Sequence, residues 1–486
     1  MKPRPVTPAG GTPHAGRTAP AGGTLHVGGT HLTGGSTALS HSLTTRHIQF
    51  IALGGAVGAG LFLGSGVAIA RAGPALLIAY SAAGLVIFLM ARALGELALF
   101  NPVAGSFSTY AHELLGRQAG FITGWSYWLM WVLVSTAEIT GIGVLMRHWF
   151  PSLAQWIPAL VAVGALYVVN IAAVKSYGEL EYWLSLVKVL TIVSLLLCGV
   201  AILTFGIGHA GEKAGMSNLW AYGGFFPHGW QGVLDALPVA LFAFGGLEII
   251  GLTAAETAEP DKSLPRAING VAYRILIFYI GSLTMIMLLY PWNALDSTRS
   301  PFVMVLERIG FPAAAGLINF VVITAVLSSC NSGIFGSSRM LHSLALTGSA
   351  PAPLRIVSGR HVPRRCVTVC TLALLIGVLL NYLIPDRIFG YLMAAVSALL
   401  LWTWGVIVGC HLVYRRKVAR GEATAVTFRL PGYPFSNWLV LGFIAIVAVL
   451  LAINQDTRLV YYSAGAWFAL LLIADAFVAR AERRRA

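Results

Sequence analysis

Apolar runs of about twenty residues, the length that crosses a bilayer as a helix, follow one another along nearly the whole chain. Twelve such spans start near residues 48, 75, 119, 153, 182, 232, 271, 311, 366, 386, 437 and 460. Of the 486 residues 57% are hydrophobic and 10% charged, whereas a soluble domain carries about a quarter of its residues as charge. Hydrocarbon offers no water to backbone donors and acceptors, so each span must close its hydrogen bonds within a helix. The expected fold is an all-α polytopic membrane protein of twelve transmembrane helices.

Two of these spans are interrupted by glycine. Gly54, Gly55, Gly58, Gly60, Gly64 and Gly66 crowd into the first, and Gly245-Gly246 into the sixth. Glycine disfavours a helix by about 1 kcal/mol against alanine, and broken backbone at membrane depth is tolerated only where it lines a cavity or is buried in protein. The other reading is that small residues let helices approach closely, and Gly54 and Gly58 have that spacing. Breaks at the heads of two sets of five spans, with two helices left over, are the mark of an inverted-repeat transporter. The repeats then cover about 47–206 and 232–412, the last two helices about 437–480, and the whole transmembrane domain 46–480.

Unwinding at Gly58, Ala59 and Gly60 frees amides and starts a half-helix whose positive end suits a carboxylate. In the sixth span Phe242, Ala243, Phe244 and Gly245 bring freed carbonyls that accept from an ammonium, and aromatic rings that cover the rest of a ligand. Amides on one break and carbonyls on the other complement a zwitterion, so the expected partner is a free α-amino acid.

The net charge of +14, from 32 Lys and Arg against 18 Asp and Glu, would by itself suit a nucleic acid. Its placement argues otherwise. With the N-terminus inside, Arg71, Arg147, Lys213, Arg299, Arg308, Arg387 and Arg458 fall outside and Lys188 within a span; the other 24 cations face the cytoplasm. That bias orients both termini inward, and the basic clusters are juxtamembrane loops beside lipid. No nucleic-acid partner is expected. Residues 1–45, rich in Gly, Thr, Pro and His, have no apolar core and read as a disordered cytoplasmic tail; 481–486 form a basic cytoplasmic end. No methionine lies between Met1 and Met90, so a later start would use another codon. The five cysteines all fall in or beside spans without the ligand company a metal site needs, and neither metal nor cofactor is expected.

Ionisable residues inside spans are functional candidates by default. Glu138 in the third, Lys188 in the fifth and Glu248 in the sixth stand out. Each can carry a coupling proton; equally, the glutamates can hydrogen-bond across helices and the lysine can snorkel. Lys188 lies about two turns beyond Glu181, taken as the last charge before the span. Ser135, Thr136, Ser329 and Asn331 are candidate polar liners. Asp475 calls for a basic partner that the sequence does not reveal.

The segments RHIQFIALGGAVGAGLFLGSG, RALGELA, TGWSYWLMWVLV, YGELEYWLSLVKV, FAFGGLEIIGLTAAETAEPDKSLPRAING and NSGIFGSSRMLHSLALTGSAP resemble the bacterial amino acid transporter family of the amino acid, polyamine and organocation superfamily, over roughly residues 43–480. Within it the chain is similar to permeases for aromatic amino acids, proline, γ-aminobutyrate, and D-serine, D-alanine and glycine. The resemblance implies a LeuT-like fold with five-plus-five inverted repeats and proton-driven uptake across the cytoplasmic (inner) membrane. It implies a carboxylate site at Gly58, Ala59 and Gly60, an ammonium site at carbonyls around Phe242, Ala243 and Gly245, and an aromatic gate at Phe242. It also implies that Lys188 stands where sodium-coupled relatives hold a cation, and that Glu248 takes part in pH sensing or gating. Many members carry Thr or Ser where this chain has Ala59, so one hydroxyl contact to a carboxylate is missing. The expected activity is symport of a neutral amino acid with a proton, with an exchanger and a non-transporting amino acid sensor as alternatives. No nucleotide-binding GxxxxGK[ST] and no HExxH occurs in the chain, so neither ATP-driven pumping nor zinc catalysis is expected.

Overall fold

A computed structural model describes residues 57–103, 105–172, 174–206, 214–254, 259–297, 299–309, 312–359, 362–384, 388–453 and 458–483. Among them every regular element is helical. Ten helical runs are long and apolar enough to cross a membrane, and Trp156–Ile171 is a shorter apolar one. The run Gly60–Phe100 holds two pieces. A π turn, Gly60–Gly64, leads into α1 (Ser65–Ala72), and α2 (Leu76–Phe100) follows a corner at Gly73-Pro74. Gly73 has φ +56°, and a Cβ there would lie 2.5 Å from Pro227, so only glycine turns this corner without strain. The expected tail at 1–45, and Gly54 and Gly55, lie outside the described residues.

After α3 (Phe107–Leu115), α4 (Arg117–Met146) runs through the centre of the molecule, with α5 (Trp156–Ala172) and α6 (Val174–Phe205) beyond it. The broken run Gly229–Thr253 comprises α7 (Gly229–Phe244) and α8 (Ile249–Thr253). Next come α9 (Pro260–Arg274), continued by a π segment and α10 (Ser282–Leu289), then α11 (Pro301–Ile309), α12 (Pro312–Leu346), α13 (Arg364–Leu383), α14 (Ile388–Ala419), α15 (Phe435–Ile453) and α16 (Arg458–Arg483). Helices apolar on every side belong either inside a protein or in lipid, and these divide accordingly. The windows in Gly229–Thr253 and α4 are 83% and 78% buried, whereas that in Tyr461–Arg480 is 11% buried. The broken helix and α4 therefore form the heart of the bundle.

Small residues make the central contacts close. A Cβ on Gly333 of α12 would sit 2.3 Å from Ser135 Oγ and 2.8 Å from Trp131, and one on Gly124 of α4 2.5 Å from Leu344. In lipid, where apolar surface gains little by leaving the solvent, this backbone approach supplies the dispersion contacts that hold helices together. Several helices begin before the apolar windows do: α6 at Val174 rather than near 182, and α9 at Pro260, the first-turn position proline tolerates, rather than near 271. The ion pair left open for Asp475 is with Arg117, Nη2 to Oδ1 at 2.7 Å, and ties α16 to α4.

Candidate functional site

The first broken helix is described from Val57. The chain bends at Val57 and Gly58 and helical geometry begins at Ala59, with the Gly58 carbonyl accepting from the Leu61 and Phe62 amides at 3.1 and 3.2 Å. The Ala59 amide, left without a partner by that start, donates to Glu138 Oε2 at 2.9 Å. A carboxylate thus occupies the positive end of this half-helix, as its dipole favours. Glu138 reaches it from α4, and its other oxygen accepts from Ser329 of α12 at 2.8 Å. Gly58 has no room for a side chain, because a Cβ would fall 2.3 Å from Glu138 Oε1 and 2.7 Å from Ser329.

Gly60 faces the second break. A Cβ on it would lie 2.6 Å from Ala243 Cα and 3.1 Å from both Ala243 N and Phe242 Cδ1. The two interrupted helices therefore cross backbone to backbone at Gly60 and Ala243. Helix α7 stops at Phe244, and Gly245, in extended geometry, donates back to the Phe242 carbonyl at 3.1 Å. Gly246, at φ +103°, reverses the path in a region that favours glycine. Its amide donates to both oxygens of Glu248, at 3.3 and 3.1 Å, so a second carboxylate closes the turn that leads into α8. Tyr127 and Trp404 lie beside that carboxylate.

The site residues expected from sequence thus fall into two groups. Gly58, Ala59, Gly60, Phe242, Ala243, Glu138 and Lys188 converge, and all that have side chains are buried. Phe242 meets Phe389 of α14 edge to face, centroids 6.2 Å apart. Phe244 instead packs with Tyr279 and Tyr80 at 4.5 and 5.8 Å, on another face of α7. Of the expected carbonyls, that of Ala243 already accepts from the Tyr279 hydroxyl at 2.8 Å, and that of Phe242 takes the Gly245 amide. The charges acting on Lys188 are Glu181 and Glu138; Glu248 keeps to its own break.

Glu181 is where the sequence reading fell short. Treated as the last charge before the span, it is fully buried, because α6 starts earlier than its apolar window. Ser328 donates to its Oε1, and Asn331 to its Oε2 at 3.1 Å. The spacing Glu181, Ser185, Lys188 on one helix face was the available signal. Of the candidate liners, Ser329 and Asn331 hold these two glutamates, whereas Thr136 turns back onto the Val132 carbonyl of its own helix.

A second buried charged cluster lies at the far end of α2. Glu96 accepts from the Leu430 amide at 2.7 Å, meets His411 Nε2 at 2.9 Å and pairs with Arg415 at 3.2 Å. Asn437 holds His411 Nδ1 at 3.0 Å. Glu96 thus fastens the segment between α14 and α15 to α2.

Above the crossing of the broken helices opens a cavity of about 780 Å³, within the range of small-molecule sites. Leu63, Val239, Phe389 and Met393 are among its lining, and so are Arg71, Arg147 and Arg299, three of the cations that charge bias places on one side of the membrane. Arg299 is paired with Glu307 at 2.7 Å. Thr140, Gln155, Ser300 and Asn319 line the cavity too, so amides and carbonyls at broken helices beneath a cavity of mixed polar and apolar lining suit a small zwitterion entering from that side.

Known proteins agree with this chemistry. Residues 47–485 match the family model described as amino acid permease. The chain is 46% identical over 434 residues to the uncharacterized amino acid permease YtnA of Bacillus subtilis strain 168, covering 89% of this chain and 94% of that one. It is 44% identical to the amino-acid permease AapA of the same organism, over 90% and 94%. To the aromatic amino acid transport protein AroP of Escherichia coli O6:H1 strain CFT073 it is 42% identical, over 90% and 96%. All three are named for transport and none for catalysis. With the family model spanning nearly the whole transmembrane region, this chain belongs to the amino acid permease family.

Proposed function

We propose that the protein takes up a neutral amino acid together with a proton across the cytoplasmic membrane, by alternating access in a twelve-crossing bundle of two inverted five-helix repeats and two further helices. The observation that carries this reading is the double engagement of Glu138, which caps the Ala59 amide with one oxygen while the other accepts from Ser329 of α12. A substrate carboxylate arriving at Gly58, Ala59 and Gly60 competes with Glu138 for that amide. Displaced, Glu138 is free to strengthen its attraction to Lys188 or to take up a proton. Substrate and proton then share one electrostatic balance, as symport requires.

The substrate ammonium is met by the second lone pair of the Phe242 and Ala243 carbonyls, with the Phe242 ring, which lies against Gly60 and Phe389, beside it. Beyond it the cavity presents Leu63, Val239, Phe389 and Met393 nearest the crossing and, among the described residues, no carboxylate in its lining to pair a cationic side chain, which favours a neutral substrate; the aromatic substrates for which AroP is named fit that description. Arginines at the mouth draw a carboxylate in from outside.

Proteoliposomes loaded at neutral pH and diluted into acid medium test the reading. They should accumulate labelled amino acid, with phenylalanine, proline, D-alanine and γ-aminobutyrate as competitors to rank side chains. Lys188→Ala should lose accumulation against a gradient. Accumulation that survives a protonophore, or uptake that needs amino acid inside, would replace symport by another coupling or by exchange.

A further inference from the structure

A carboxylate within a membrane-spanning helix is costly and is a functional candidate by default, and the bundle bears this cost at Glu181 as well as at Glu138. The two are joined through α12. Neighbouring serines divide between them, Ser328 donating to Glu181 and Ser329 to Glu138. On α6, Glu181, Ser185 and Lys188 stand at i, i+4 and i+7, a stripe about 10 Å long at 1.5 Å per residue, and all three are fully buried. Ser185 Oγ donates to Glu181 Oε1 at 3.4 Å, and Lys188 is the charge that acts on Glu181. Beyond Glu181 the line continues through Asn331 to Asn170 of α5, Nδ2 to Oδ1 at 2.7 Å. Buried polar groups therefore succeed one another from the Ala59 amide along the seam of α6 and α12, toward the end where α6 begins, the side that charge bias assigns to the cytoplasm.

We propose that Glu181 is the proton acceptor for Lys188 and that the α6–α12 seam is the route by which the coupling proton leaves toward the cytoplasm. This rests on the proton-coupled reading above. In the step, one N–H bond of the Lys188 ammonium breaks and its proton goes to the Ser185 hydroxyl, which passes its own to a Glu181 oxygen. The amine and the carboxylic acid left behind are both neutral, so the charge of the pair is unchanged and no ion is left unpaired in the low-dielectric interior. Release of the acid's proton to cytoplasmic water restores the carboxylate, and the Lys188 amine takes up the next proton arriving from the substrate side, which restores the pair. Glu138 faces the same lysine from the substrate side, so Lys188 stands between an acceptor that senses substrate and one that leads away from it.

Full-length protein in proteoliposomes separates this role from a brace between helices. The probe is labelled L-phenylalanine, or L-proline, D-alanine or γ-aminobutyrate if the competition panel ranks one higher. Two quantities are read: exchange against internal unlabelled amino acid without a pH gradient, and accumulation driven by an inward proton gradient. Glu181→Gln should lower accumulation at least tenfold while exchange falls by less than about threefold, and Glu181→Asp should recover part of the accumulation. Accumulation at the wild-type level overturns the proposal, and so does an equal loss of both activities. Should Glu181→Gln not fold, Ser328→Ala removes a brace and leaves the carboxylate. It should reduce both activities by less than about threefold, and a tenfold loss of both identifies a brace. Wild-type protein that exchanges but never accumulates would instead refute proton coupling itself, before any variant is made.

Discussion

Gly60→Ala tests the crossing of the two broken helices, on which the reading of the site depends. The added Cβ would lie 2.6 Å from Ala243 Cα and 3.1 Å from Ala243 N, whereas carbon atoms at rest meet at about 3.5 Å or more. Backbone atoms of a buried helix cannot swing aside as a side chain can, so the two helices must part by about 1 Å. Overpacking of this kind costs about 1–3 kcal/mol, of which alanine's better helix propensity returns at most about 1 kcal/mol. The functional loss is separate. A 1 Å displacement takes the Ala59 amide, now 2.9 Å from its carboxylate, out of hydrogen-bond range of a ligand held on the other helix. A charge-assisted bond is worth about 1.5–3 kcal/mol, and with 1.4 kcal/mol per tenfold the apparent Kd should rise about 10- to 100-fold. Equilibrium binding to detergent-solubilised protein measures this, with thermal melting read in parallel. Gly164→Ala, where a Cβ meets nothing within 4 Å, serves as the control and should change neither. A Gly60→Ala protein that binds within threefold of wild type would refute both the crossing and the placement of the ligand upon it.

Other perturbations follow from the same contacts. Gly58→Ala should push the Glu138 carboxylate off the Ala59 amide, since the new methyl would stand 2.3 Å from Oε1, and proton-driven uptake should fall at least tenfold; wild-type uptake would contradict the capping role. Glu96→Ala leaves Arg415, His411 and the Leu430 amide around an empty buried position and should cost about 3–5 kcal/mol. Trypsin should then cut faster after Arg420 and Arg429, and an unchanged digestion pattern would show that Glu96 does not hold this segment. Asp475→Asn weakens a pair whose arginine is one-third exposed and should change stability by about 1 kcal/mol or less without altering uptake.

Much of this architecture was open to the sequence because lipid leaves few choices. An apolar window must be helical, and among the described residues ten helical runs are long and apolar enough to cross a membrane, against the twelve spans expected. A glycine pair beside a glutamate must break that helix or waste its propensity, and the break at Gly245-Gly246 lies where the glycines do. What was hidden depends on rotation about a helix axis and on true helix ends, neither of which hydropathy reports. Phe242 and Phe244 are alike in sequence, yet one meets Phe389 and the other Tyr279, because two residues along a helix turn the side chain by about 200°. Glu181 was misjudged for the second reason: hydropathy begins a span at its first apolar run, whereas α6 begins at Val174 and carries the glutamate inside.

The two glutamates at the breaks also alter what the glycine clusters mean. Read from sequence, freed amides at Gly58 to Gly60 wait for a ligand. In the folded chain the Ala59 amide belongs to Glu138, and the Gly246 amide to Glu248. The first choice follows from electrostatics, since an unsatisfied helix N-terminus buried in protein is costly and a carboxylate satisfies it best; the second satisfies a buried turn amide just before α8. They differ in reach. Glu248 is two residues from the amide it caps and moves with its own half-helix, so it stabilises that break whatever occupies the cavity. Glu138 spans from α4 and is held there by Ser329 of α12, so its hold on Ala59 ties three helices and breaks when any of them shifts. Alanine at position 59 adds no hydroxyl to compete for that carboxylate, so the backbone amide alone holds Glu138 to this half-helix, and it is the contact that a ligand carboxylate bound as proposed would have to take from it.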